Sequence, residues 1–314
     1  MHIPFERTIM GAYRFGSENY LAILGIAWLP FLLFLVAAVL LVVSMFPELN
    51  GLMGATGPDR WDQAQVSAFV LSILDKTLLM LVLLLLAFAM ITVGLMRKAL
   101  GQDSKAVFVY FSLGAETWRL FGAYVLLLLL VAAGIVAYFF AVALVSFLLA
   151  QISAALQGLA TTLLILGGLV FGIYAIVRMQ FFLPAVVVAE HHIGIRRSWH
   201  LGRGNFWRIV GIVIAVSLPA YVVFTALYSI VLQLALTGQN LPMVGLTPGR
   251  VSPDAFRRYF SAWLAATRSV LPVLALLQLL YMVAVTGLST GAVATAYKLV
   301  TGHDGPSDPT RVFA

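Results

Sequence analysis

The chain has 314 residues, of which 62% are hydrophobic and 10% charged, and its 19 Lys and Arg against 12 Asp and Glu give a formal charge of +7. A soluble domain is roughly 45–50% apolar and about 25% charged. This composition therefore excludes a soluble globule, and it excludes a disordered chain, whose mark is low hydrophobicity with high charge.

Residues 3–16 come first. Ile3, Phe5, Ile9, Met10 and Tyr13 form an apolar set, with Glu6, Arg7 and Arg14 elsewhere, which predicts a helix lying on the membrane surface. A crossing helix needs about 20 apolar residues for a hydrocarbon core of roughly 30 Å. Charge-free gaps of 29 residues after Glu18 and 20 after Lys76 predict spans near 20–46 and 70–96. The first is about twice the length of a signal-peptide core and no small-residue cleavage site follows it, so it is expected to remain in the protein. The 58 charge-free residues between Arg119 and Arg178 are too many for one passage; as a helix they would extend roughly 90 Å. The run must fold back around Gln151–Gly158, which predicts spans near 120–149 and 158–182. An interfacial segment at 183–204 precedes a span near 206–236. That span ends at the breaker Thr237-Gly238-Gln239-Asn240-Leu241-Pro242. Residues 252–264 read as an amphipathic helix on the opposite face: Ser252 caps it, Pro253 opens it, and Phe256, Tyr259, Phe260, Trp263 and Leu264 recur at helical spacing. A last span falls near 268–298. The fold is thus an all-α integral membrane protein of six spans in one polytopic domain, 1–314. Continuously apolar runs favour helices over a barrel, whose strands alternate.

Six spans put both termini on one side. That side carries thirteen of the Lys and Arg residues and the other six. The positive-inside rule makes it the cytoplasmic one. The excess charge then faces anionic lipid headgroups, and nucleic acid is not an expected partner, since no basic soluble module exists to hold it.

Three stretches entering odd-numbered spans rhyme: Phe15-Gly16-Ser17-Glu18-Asn19-Tyr20, Leu113-Gly114-Ala115-Glu116-Thr117-Trp118 and Leu201-Gly202-Arg203-Gly204-Asn205-Phe206, spaced by 98 and 88 residues. So do two exits, at Gly101-Gln102-Asp103 and Gly302-His303-Asp304. They suggest three parallel hairpin repeats. In each cassette Gly turns the chain, Asn or Thr caps the new helix by accepting a backbone N–H, and an aromatic sits at headgroup depth.

Motifs for chemistry are sparse. Gly287-Leu288-Ser289-Thr290-Gly291 matches a nucleophile-elbow pattern, but that motif needs a strand-to-helix turn. Inside a span, Gly287 and Gly291 read as a helix-packing pair, as do Gly168 and Gly172. In Glu190-His191-His192 adjacent histidines point about 100° apart on a helix, which favours a surface loop over a metal site. There is no P-loop, no dinucleotide fingerprint and no intramembrane carboxylate pair for a proton relay. With no cysteine there is no thiolate nucleophile either. No catalytic residue, metal or cofactor is expected.

The densest signal runs from Arg178 to Arg208. An Arg ends a span, a short apolar run with Pro184 leads to Glu190, and Arg197-Ser198-Trp199, Leu201 and Gly204-Asn205-Phe206-Trp207 follow. This pattern resembles that of bacterial six-span membrane proteins similar to the membrane domain of glycerophosphoryl diester phosphodiesterases. The likeness is sharp over these thirty residues and architectural elsewhere. It implies a multi-pass protein of the bacterial inner membrane. The soluble phosphodiesterase domain is not in this chain, so that activity is not expected of it.

Two roles suit the cluster Arg178, Glu190, Arg197, Ser198, Trp199, Arg203, Asn205 and Arg208. Glu190 can meet Arg178 or Arg197 and lock the short helix to the bundle. Alternatively, Arg197, Arg203, Arg208 and Asn205 can grip a lipid phosphate at a helix N-terminus. The function expected is non-catalytic: binding or organising lipid, or scaffolding a membrane-protein partner or a second copy. The alternative is a permease for a lipid-like or small apolar solute, with Pro30, Pro219 and Pro272 as possible kinks.

Overall fold

The computed structural model describes residues 2–54, 63–102, 109–237, 246–247, 250–251, 261–263, 265 and 267–302. Six of its helices are long and apolar enough to cross a membrane. They are α2 (Tyr20–Gly54), α3 (Gln63–Leu100), α4 (Ala115–Ala150), α5 (Ala154–Gln180), α8 (Phe206–Leu236) and α9 (Leu271–Thr301), joined by the shorter α1 (Phe5–Glu18), α6 (Leu183–Glu190) and α7 (Ile195–Leu201). This is an all-α, six-span, multi-pass membrane protein. Two residue pairs form a minimal antiparallel ladder, β1 (Leu246–Thr247) with β2 (Arg250–Val251). The long charge-free run folds back at Gln151–Ser153, where Ser153 N–H bonds Leu149 C=O at 3.0 Å. Of the amphipathic helix expected at 252–264, only 261–263 fall among the described residues, and they are helical.

Spans α3 and α9 both end on a left-handed glycine, Gly101 (φ 79°) and Gly302 (φ 69°). Gly101 and Gln102 N–H bond back to Lys98 and Arg97 C=O, the pattern that satisfies the last carbonyls of a helix. The rhyming exits therefore share a left-handed glycine, though Gly302 N–H bonds Lys298 C=O, four residues back rather than three. The entries share no such feature. Gly16 lies inside α1, Gly114 immediately precedes α4, and Gly202 ends α7. Nor does the expected cap form. Asn19 donates to Phe15 C=O at 3.1 Å, and the Asn205 side-chain oxygen accepts from Ile3 N–H at 3.0 Å.

Helix α1 does not lie flat on the surface. Along it, Ile3 meets Asn205, Phe5 packs on Gly211 and Tyr13 reaches Ala215, so it runs beside the first turns of α8 in the same direction. On its other side Gly11 faces Thr295, Ala12 and Phe15 face Gly291, and Gly16 faces Leu288 of α9. Small residues on both partners permit this approach: a Cβ on Gly11 would stand 2.6 Å from the Thr295 hydroxyl oxygen. Pro219 supplies the polar anchor. Lacking an N–H, it leaves the carbonyl four residues earlier without its helical donor. That carbonyl is Ala215 C=O, and the Tyr13 hydroxyl donates to it at 3.0 Å.

Helix α6 also departs from the expected interfacial segment. Its sequence, Leu-Pro-Ala-Val-Val-Val-Ala-Glu, has no polar face, and Leu183–Val188 are fully buried in the main core with Ala89, Val93, Met96, Leu120, Ala292 and Tyr297. A helix apolar all round is stable only when surrounded by protein or lipid. Here protein surrounds it: α3, α4, α7 and α9 close over it.

Candidate functional site

The basic residues of the last turn of α3, of α4, α7 and α8 and of the end of α5 gather at one end of the bundle, around α6. Arg178, on the last turn of α5, is 5% exposed. Its guanidinium lies 3.9 Å from the Trp199 ring centroid and 5.1 Å from that of Tyr174. It donates Nη1 to the Tyr174 hydroxyl at 2.6 Å and Nη2 to Trp199 C=O at 3.0 Å, while Nε has no hydrogen-bond partner among the described residues. No carboxylate stands within ion-pair distance of Arg178 among those residues. A desolvated cation over two aromatic faces gains about 2 kcal/mol from the rings. The π faces and dipoles hold it where a carboxylate was the expected alternative.

The residues after Arg178 build the rest of this clamp. Ser198, fully buried, donates to Met179 C=O at 2.7 Å and ties α7 to the end of α5. Gly202 passes so close to Arg178 that an added Cβ would sit 3.3 Å from its carbonyl oxygen. Gly204 takes φ 74° to turn the chain into α8. Asn205 holds the N-terminal strand of chain at Ile3, and Phe206 packs on Tyr174 with ring centroids 5.0 Å apart. Arg197 donates Nε to Glu190 at 3.2 Å, so Glu190 pairs with Arg197 and not with Arg178.

Glu190 belongs to a second cluster. Its Oε1 also accepts from the Tyr297 hydroxyl of α9 at 3.0 Å, and His192 lies 3.8 Å from Oε2. Beside it Glu116, buried at the start of α4, accepts from Arg97 Nε at 2.7 Å and sits 3.2 Å from His191 Nδ1. His191 is held at φ 55°, the only positive φ at a non-glycine among the described residues. Two carboxylates thereby join α3, α4, α7 and α9 to the end of α6. No group of three or more His, Asp or Glu arranged to hold a metal is found among the described residues.

Sequence reasoning placed Glu190 and the arginines but missed Arg97, Glu116, His191 and Tyr297 as one network. Glu116 sits in the second entry cassette beside a Gly, where nothing in the local pattern distinguishes it from a solvated helix-start carboxylate. The remaining named arginines stay outward: Arg203 is exposed, and Arg208, also exposed, makes among the described residues a 3.4 Å contact from Nη1 to Ile3 C=O. Of the glycines, Gly287 packs on Ile23, Gly291 on Phe15 and Ala12, and Gly168 under the Tyr138 ring, whose hydroxyl bonds Leu164 C=O. Gly172 faces open space.

Compared with known protein families, curated proteins and solved structures, the chain matches none.

Proposed function

We propose that the protein is a non-catalytic inner-membrane protein that binds anionic lipid at its basic, cytoplasmic end and offers its α4–α5 hairpin to a membrane partner or a second copy. The observation that carries this reading is a division among the arginines. Arg178 is buried in the clamp, and Arg197, though exposed, is paired with Glu190. Arg196 on α7 and Arg203 and Arg208 around the start of α8 are exposed, as is Trp207, at 80%. An aromatic with cations at the end of a span is the composition that suits phosphate headgroups at the interface. On this reading the two expected roles divide by residue: locking for Arg178, Glu190, Arg197, Ser198, Trp199 and Asn205, headgroup contact for Arg203 and Arg208.

Native mass spectrometry of the purified protein tests this. The triple variant Arg196→Gln, Arg203→Gln, Arg208→Gln should retain fewer phosphatidylglycerol molecules with an unchanged melting temperature. Arg197→Ala should do the reverse. Full lipid retention by the triple variant would overturn the headgroup reading.

A further inference from the structure

Between α8 and α9, away from the basic end, a side-opening groove of about 250 Å³ is lined by Tyr221, Phe224, Thr225, Tyr228, Leu277, Gln278 and Tyr281. We infer that it binds a neutral, membrane-soluble ring compound bearing carbonyl oxygens, of the quinone class.

Three observations lead there. First, the groove's polar groups are out of place for a lipid-facing wall. Three phenols, a primary amide and a hydroxyl line it, and none makes a hydrogen bond among the described residues. They also lie deeper than the aromatic belt of a membrane helix. Gln278 and Tyr281 stand about 10 and 15 Å along α9 from Leu271, and Tyr221 about 22 Å from the far end of α8 at Leu236. In hydrocarbon an unpartnered polar group is costly, so a ligand that supplies partners is bound in preference to an acyl chain that fills the same space.

Second, the ligand is uncharged. No Lys, Arg, Asp or Glu occurs between Arg208 and Arg250 or between Arg268 and Lys298, and an ionic headgroup at this depth would have no counter-charge.

Third, the chemistry favours a flat acceptor. Phenol, amide and hydroxyl hydrogens are donors that suit ring carbonyls. Phe224 and Tyr281, packed on each other with centroids 5.5 Å apart and planes at 61°, add aromatic surface on which a planar ring can pack. The volume accommodates one substituted ring, and the open side lets a tail run into the bilayer.

The inference is independent of headgroup binding at the other end. Equilibrium binding of decylubiquinone to the full chain in nanodiscs tests it, with dodecanol as competitor. Saturable binding that dodecanol does not displace is expected. The double variant Tyr221→Phe, Gln278→Leu should bind at least tenfold more weakly at an unchanged melting temperature, and Thr225→Trp, which fills the groove, should abolish binding. Non-saturable partitioning into the wild type, displacement by dodecanol at equal concentration, or unaltered binding by both variants would overturn it.

Discussion

The basic end and the α4–α5 hairpin draw on the same apolar vocabulary and hold together by different means. At the basic end, α1, α6 and α7 fill the space between spans, Leu183–Val188 are enclosed by protein, and each buried polar group of the Arg178 clamp but one, the Arg178 Nε, has a partner. In the hairpin, large side chains are exposed on every side. On α4 they run from Leu126 to Leu148 and on α5 from Leu156 to Ile173. At 1.5 Å per residue these bands are about 33 and about 26 Å tall, comparable to the roughly 30 Å hydrocarbon core. The two helices touch through Tyr138 on Gly168 and through a 2.7 Å hydroxyl pair, Ser146 with Thr161. One region is organised by protein contacts, and the other is shaped to be completed by its surroundings. The hydrophobic effect drives no association in lipid, where tails are as apolar as Leu. Shape and hydrogen bonds must therefore decide which segments close up, and the basic end has both.

Substitutions can break or sharpen this contrast. The largest effect should come from Arg178→Ala, which removes the cation–π contacts and strands the Tyr174 hydroxyl and Trp199 carbonyl. A loss of about 3–4 kcal/mol is expected in detergent unfolding, against about 0.5 kcal/mol or less for Phe140→Ala on the exposed hairpin. Next, Gly291→Leu should cost about 1–3 kcal/mol by overpacking, because even a Cβ there stands 3.0–3.1 Å from Phe15 and Ala12. Gly172→Ala, with nothing within 4 Å, should instead stabilise by up to about 1 kcal/mol through helix propensity. Equal responses at the two glycines would erase the distinction. Third, Tyr13→Phe leaves the Ala215 carbonyl without a donor and should cost about 1–3 kcal/mol. With Pro219→Ala in place the backbone supplies its own N–H, and the same change should cost less; the coupling in a double-mutant cycle measures this. The smallest effect belongs to His191→Gly, where relief of the left-handed backbone offsets loss of the Glu116 contact. The melting temperature should move less than for His191→Ala, which loses the contact and keeps the strain.

The six spans were legible because charge is excluded from hydrocarbon, and a run without charge reports a span whatever it packs against. The Arg178–Arg208 pattern announced a built site for a related reason: Arg, Trp and Asn at a span boundary need partners. Which partners was not legible. Glu190 had two arginines in reach, and the choice of Arg197 follows from the ring stack that occupies Arg178. The packing of α1 was not legible, because Phe5, Met10 and Tyr13 form an apolar stripe that suits a membrane surface equally well. Phe5 and Tyr13 do turn to α8, but the face against α9 is made from Gly11, Ala12 and Gly16, whose hydrophobicity is slight and whose smallness carries the contact. The apolar run of α6 was short enough to suit an interface or a core, and only the helices around it decide.

The orientation of these two regions in the membrane is the claim on which the functional reading rests. Because the chain has no cysteine, single substitutions at the exposed Gln151, in the α4–α5 turn, and at the exposed Ser17 on α1 can be labelled without background. With a membrane-impermeant maleimide on spheroplasts, Gln151→Cys should label at once and Ser17→Cys only after permeabilisation. Immediate labelling of Ser17→Cys with protection of Gln151→Cys would contradict a cytoplasmic basic end.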